Sequence, residues 1–133
     1  MIKAQEFRLG NHLLHKQNGR ISVVPCGSLQ MELIAKDDTK DLFPVVLKAE
    51  ILQRCGFAEN KEYALLPQAR EFSLQLPVIG NNKNEIFAWI KSSGECFGRA
   101  TVNGLPVSNN FYHLHSLQNL YHGLTGEELT IKP

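Results

Sequence analysis

The sequence predicts an α+β domain of short antiparallel strands, and three observations carry that prediction. The apolar residues switch period along the chain, in the order strands, helix, strands, helix. Asn-Gly pairs stand at Asn18-Gly19 and Asn103-Gly104 between β-compatible runs, where both residues tolerate the positive φ of a tight hairpin turn. The two helical stretches follow groups of strands instead of alternating with single ones, which argues against a parallel βαβ arrangement.

Taken in order, His12 to Lys16 and Arg20 to Val24 read as the arms of the first hairpin, joined by Gln17-Asn18-Gly19. A turn at Pro25-Cys26-Gly27-Ser28 leads into Leu29 to Ala35, where Leu29, Met31 and Leu33 alternate with Gln30, Glu32 and Ile34 as in a half-buried strand. Residues 36–41, Lys-Asp-Asp-Thr-Lys-Asp, form a polar loop. Several short strands with tight turns in the opening segment suggest a small curled, SH3-like barrel. The period then lengthens. Leu47, Ile51, Leu52 and Cys55 fall at helical spacing, Pro44 suits a helix start, and Gly56 suits the left-handed position just past its end. A helix over Pro44 to Cys55 is predicted.

From Glu62 the chain returns to strands. Phe72, Leu74 and Leu76 alternate with Ser73 and Gln75, and Pro77 marks a strand end. Gly80 to Asn84 is a turn. Glu85 to Lys91 is apolar on both faces, which marks a central strand. Ser92 to Glu95 turns the chain into Cys96 to Val102, and Asn103-Gly104 turns it again before Leu105-Pro106-Val107. This half reads as an antiparallel meander. The last element is a helix over Tyr112 to Leu124, with Leu114, Leu117, Tyr121 and Leu124 on one stripe and Leu120 beside it. Ser108, Asn109 and Asn110 offer capping oxygens near its start, and Gly126 with Leu129 fits its end.

The chain of 133 residues is one domain's worth, 1–133, with sub-units 1–57 and 58–133 compatible with the element order. Lys and Arg number 14 against 13 Asp and Glu, and the balance holds in each half, so no basic arm is present to bind phosphate backbones. The opening residues hold no apolar signal segment, and no apolar run approaches the ~20 residues of a membrane span. Cys26, Cys55 and Cys96 are odd in number and widely spaced, with no Cys-x-x-Cys, so reduced buried thiols in a cytoplasmic protein are expected.

Catalytic constellations are scarce. His115, Asn119 and His122 follow helical spacing, but a separation of seven residues puts the two rings about 10 Å apart, too far for one ion. There is no His-Glu-x-x-His, no Gly-x-Ser-x-Gly and no phosphate-cradling glycine pattern. Asp37-Asp38 and Glu127-Glu128 are adjacent pairs, and adjacent residues on a strand face opposite ways. No catalytic residue, metal or cofactor is predicted. His115, Gln118, Asn119 and His122 are the candidate polar face, either meeting a partner or capping a neighbouring sheet. Phe72, Phe87, Trp89 and Phe97, with Arg70, Lys91 and Arg99, would suit base stacking if exposed, although their alternation favours a core role. The readings in order are a binding protein with a protein partner or a second copy of itself, a nucleic-acid-binding module, and a hydrolase using Cys96 or Ser93 with a histidine.

Three segments add a resemblance. Phe7-Arg8-Leu9-Gly10-Asn11 resembles a Leu-Arg-Ile-Gly-Asn start, Leu47 to Phe57 resembles a helix closing on Phe-Gly-Phe, and residues 113–129 are similar to His-x-Leu-Gln-Asn-Leu-Tyr-x-x-Leu-Thr-Gly-x-Glu-Leu. Together these resemble a group of small uncharacterised proteins encoded by Bacteroidetes bacteria and their phages or prophages. Cys55 replaces an aromatic of that pattern, and either His113 or His115 fills its histidine position. The resemblance implies a phage or mobile-element origin and no activity.

Overall fold

The computed structural model describes residues 7–61, 68–77 and 80–132. Its elements are, in order, β1 (His12–Gln17), β2 (Arg20–Pro25), α1 (Ser28–Ala35), β3 (Leu42–Phe43), α2 (Ala49–Arg54), β4 (Ala58–Asn60), β5 (Ala69–Gln75), β6 (Asn84–Lys91), β7 (Cys96–Val102), β8 (Leu105–Pro106) and α3 (Leu114–Thr125). The architecture is α+β with antiparallel sheets of three and five strands. The start of the predicted second group of strands, residues 62–67, lies outside the described residues. Contacts divide the chain into two compact units, Met1–Val46 with His113–Asn119, and Leu47–Tyr112 with Leu120–Pro133.

In the first unit the predicted hairpin forms, with Asn18 at φ 54° and Gly19 at φ 76°. The sheet order is β2-β1-β3, so it is open and no SH3-like barrel closes. The expected strand over Leu29 to Ala35 is instead α1. Leu, Gln, Met and Glu are all good helix formers, and the buried positions are Gln30 and Ile34, one helical turn apart. Leu29, which the alternation placed inside, is half exposed. The helix start is fixed by the Gly27 N–H donating to Gln30 Oε1 at 3.0 Å, the backward half of a capping box. Phe7, Leu13, Cys26, Ile34 and Leu42 form this unit's core.

The second helix is shorter than predicted. Pro44 does not begin it: Val45 and Val46, both β-branched, stay outside the helix, and Val46 bridges His113 while the Val45 carbonyl accepts the Leu114 N–H. The C-terminus is as expected. Gly56 adopts φ 95°, its N–H donates to the Gln53 carbonyl, and the Phe57 N–H donates to the Leu52 carbonyl, the paired bonds of a Schellman motif.

The second unit holds the five-stranded sheet, order β4-β5-β6-β7-β8, with β6 central as its two-sided apolarity predicts. Cross-strand register puts Phe72, Ile86, Ala88, Cys96, Gly98 and Ala100 on one face, all buried. Each large side chain among them contributes ~1.5–3 kcal/mol on burial. Gly98 is needed here for close approach: a methyl at its Cα would overlap the Phe111 ring and the Phe87 carbonyl oxygen. Gly98 and Phe111 also exchange backbone hydrogen bonds at 3.0 and 2.8 Å. Ser108 does not cap α3; its Oγ accepts the Ala100 N–H at 2.9 Å and so continues the sheet edge beside β7. Helix α3 begins at Leu114, two residues later than predicted.

Candidate functional site

The polar face predicted on α3 is two different things. His115 and Gln118 are buried, Asn119 is half-buried and His122 is exposed, so the four do not form one solvated surface. Gln118 caps the neighbouring strand. Its Oε1 accepts the backbone N–H of His12 at 2.8 Å, which obliges Nε2 to donate to His12 Nδ1 at 2.9 Å. Asn119 Oδ1 accepts from Nδ2 of the fully buried Asn11 at 3.0 Å, the Gln118 carbonyl accepts from Arg8, and His115 stacks on Phe7 with centroids 4.0 Å apart. The opening segment Phe7 to Asn11 and the residues His115, Gln118 and Asn119 therefore clasp each other. The same logic orients Gln30: its Oε1 is taken by Gly27, so Nε2 donates to Nδ1 of buried His15 at 3.1 Å. His113 and His115 stack at 5.7 Å, and among the described residues no group of three or more His, Cys, Asp or Glu is placed to hold a metal ion.

The two nucleophiles of the hydrolase reading sit in different surroundings. Cys96 lies on the apolar face, and burial pushes its thiol up to about 11, the wrong direction for a nucleophile. Ser93 sits in the exposed turn, where its Oγ accepts the Glu95 N–H. Cys55 is likewise raised to about 11 by burial, and Cys26 is raised for the same reason.

The other face of the five-stranded sheet is where uncommitted polar groups collect. Register alternation brings three rows together: Gln75, Glu85 and Thr101; Ser73, Phe87 and Arg99; Glu71, Trp89 and Phe97. All of these but Phe97 line a cleft of about 760 Å³, with Lys61 and Lys83 also lining it. Two carboxylates are buried here and each has its own partners. Glu71 accepts from Trp89 Nε1 at 2.9 Å and from Asn60 Nδ2 at 2.9 Å. Glu85 accepts from Gln75 Nε2 at 2.6 Å and lies 3.5 Å from Lys83 Nζ. Glu71 lies opposite Trp89, four residues along β6 from Glu85 and so about 13 Å away along the strand, and each carboxylate keeps its own set of donors.

The aromatics divide between the faces. Phe72 is core, and Trp89 is only 1% exposed. Trp89 stacks with Phe87 at 5.7 Å and tilts against Phe97 at 5.3 Å, while the Arg99 guanidinium lies over its ring at 5.3 Å and Lys91 lies over Phe97. Phe87 and Phe97 remain half-buried.

Two arginines of this sheet have opposite fates. Arg70, over the Phe72 ring, makes two hydrogen bonds to Glu59 at 3.0 and 2.8 Å, and these hold the Glu59 carboxyl below its usual range. Among the described residues Arg99 has no carboxylate partner, and its Nε is buried with no hydrogen bond. Thr101, two residues along the same strand and so about 7 Å away, has an equally buried and unpaired Oγ1. Sequence reasoning named Arg99 and the rings but missed Thr101 and Glu71. The signal was the polar half of each alternation, Glu71-Ser73-Gln75 and Arg99-Thr101, which reads as solvent-facing until cross-strand neighbours cover it. Comparison with family models, with curated proteins and with solved structures finds no match to this chain.

Proposed function

We propose that the protein is a non-enzymatic binding protein whose cleft on the five-stranded sheet takes a monoanion, a carboxylate carried on an apolar or aromatic body. The observation behind this reading is the pair Arg99 and Thr101: two buried, unpaired polar atoms on one strand of one cleft. A buried donor left unmet costs ~1–3 kcal/mol, and a bond from a charged donor returns ~1.5–3 kcal/mol when a ligand oxygen supplies the acceptor. Phe87, directly across from Arg99, offers an apolar surface for the body of the ligand. Glu71 and Glu85 limit its charge, since two carboxylates on the same face repel a dianion more than a monoanion. A base-stacking platform is the weaker reading, because two of its four aromatics are buried. The resemblance at both ends supports an accessory role in a phage or mobile element, and the three free cysteines support a cytoplasmic one. Among the described residues no helix is long and apolar enough to cross a membrane.

The test is an NMR titration of labelled protein with benzoate, and separately with inorganic phosphate and a single-stranded oligonucleotide. Benzoate is expected to shift amides of β6 and β7, and Arg99→Met to weaken it about tenfold or more. Absence of any benzoate shift, or a shift unchanged in Arg99→Met, removes the reading. An oligonucleotide that binds more tightly than benzoate and depends on Arg99 replaces it with the nucleic-acid one.

A further inference from the structure

We infer that β2 is a self-association edge, pairing antiparallel with β2 of a second copy about a two-fold axis at Ser22. The sheets have four outer strands among the described residues. Three are blunted by length: β3 spans two residues, β4 three and β8 two. Strand β2 spans six and, among the described residues, is joined on one side only. Long open edges are the ones that recruit another strand.

Which groups point outward is fixed by bonds to either side. The Lys16 N–H donates to the Asp41 carbonyl, on the β3 side of β1, so the Lys16–Ile21 pair is not hydrogen-bonded. The Cys26 N–H donates to the Asn11 carbonyl, so in the same register Val24, Ser22 and Arg20 face β1. Ile21 and Val23 therefore direct their N–H and C=O groups to the open edge. Both also expose their side chains, at 58% and 52%, on the sheet face they share with Leu14 and the partly exposed Phe43.

These facts select a second copy as the occupant. A two-fold axis at Ser22 sets Ile21 opposite Val23 of the second copy, and Val23 opposite its Ile21. Both are hydrogen-bonded pairs, and each brings two exposed β-branched side chains together. Shifting the register by one residue would face Ile21 with Val24, whose groups already serve β1. The strand's only charge, Arg20, falls opposite Val24 of the second copy, about 13 Å from its symmetry mate. A net charge of +1 offers little repulsion between copies. An edge pairing of this size buries less than the ~1,200 Å² of stable complexes, so the dimer dissociates in the micromolar range or above.

At the axis Ser22 meets Ser22 as a non-hydrogen-bonded pair, with Cα atoms about 4.5 Å apart, inside the range a disulfide spans. Ser22→Cys is therefore expected to form a covalent dimer under mild oxidation, and Arg20→Cys is not. The native thiols are buried and do not compete. Sedimentation equilibrium of the unaltered chain should show a reversible monomer–dimer step that Ile21→Lys with Val23→Lys abolishes. Equal cross-linking of the two cysteine variants, or a strict monomer up to about millimolar concentration, overturns the inference. The cross-linking arm decides the question even if the double lysine variant fails to fold.

Discussion

The two faces of the five-stranded sheet are built from the same strands, residue by alternate residue, yet they are held by different physics. One face is dry: Phe72, Ile86, Ala88 and Ala100 are at most 1% exposed, and the Phe111 ring closes over Gly98. Its buried part is held by volume, and Arg70, which register sets on the same face, is exposed and bonded to Glu59. The other face buries Trp89, Glu71 and Thr101 almost as deeply, but it is held by matching donors with acceptors. Changes of size should injure the first face, and changes of hydrogen-bonding capacity the second. Matching fails on the second face at Arg99 and Thr101, the two groups the proposed ligand would meet.

The sharpest way to break the first face is Gly98→Ala. The added methyl meets a ring and a backbone carbonyl, and the carbonyl cannot swing aside. A loss of about 3 kcal/mol or more is expected in urea unfolding, at the upper end of what overpacking costs. A loss below about 1 kcal/mol would mean that Phe111 does not seal this face.

Burial of Cys96 on the dry face, and of Cys55, gives a smaller and pH-dependent effect. Each thiol is raised from its ordinary value of 9.0 to about 11, so the folded chain keeps its protons where the unfolded chain releases them. Stability is therefore unaffected below about pH 9 and falls as pH rises towards 11. Tyrosines and lysines titrate over the same range, so the measurement is a difference. Thermal melts from pH 8 to 11 should fall less steeply for a Cys55→Ala, Cys96→Ala variant than for the unaltered chain, whatever the absolute stability of each. Parallel slopes would place both thiols in contact with water.

The dry face was also the legible one. The apolar run Ile86 to Ile90 announces a central strand, and Asn103-Gly104, found at φ 51° and 82°, announces the turn that follows β7. Local chemistry suffices for such features. Helix α1 was not legible, because Leu-Gln-Met-Glu-Leu-Ile satisfies a two-residue period as well as a helical one over so short a span. What decides it is Gln30, bound at once to Gly27 and to His15 fifteen residues away. The clasp and the cleft are illegible for the same reason. Asn11 meets Asn119 across 108 positions, and Glu71 meets Trp89 across 18. Aromatic and charged residues on strands could be named in advance, but the face each occupies follows from register.

The smallest expected effect on stability belongs to Thr101→Val, and it separates the two faces most cleanly. Valine keeps the branched shape that suits β7 and removes only the hydroxyl. On a face held by matched hydrogen bonds, losing a hydroxyl should normally cost ~1 kcal/mol. Thr101 is different because its Oγ1 is buried without a partner. Removing it abolishes an unmet desolvation penalty, so stability should stay level or rise by a few tenths of a kcal/mol, while affinity for a carboxylate falls. The contrast is with Ser73, on the same face, whose hydroxyl bonds to Asn60 and whose replacement by alanine should cost stability without touching affinity as strongly. Urea unfolding and benzoate titration of both variants give four numbers. If Thr101→Val destabilises as much as Ser73→Ala, its hydroxyl already serves the fold, and Arg99 is left as the sole unmet group of the cleft.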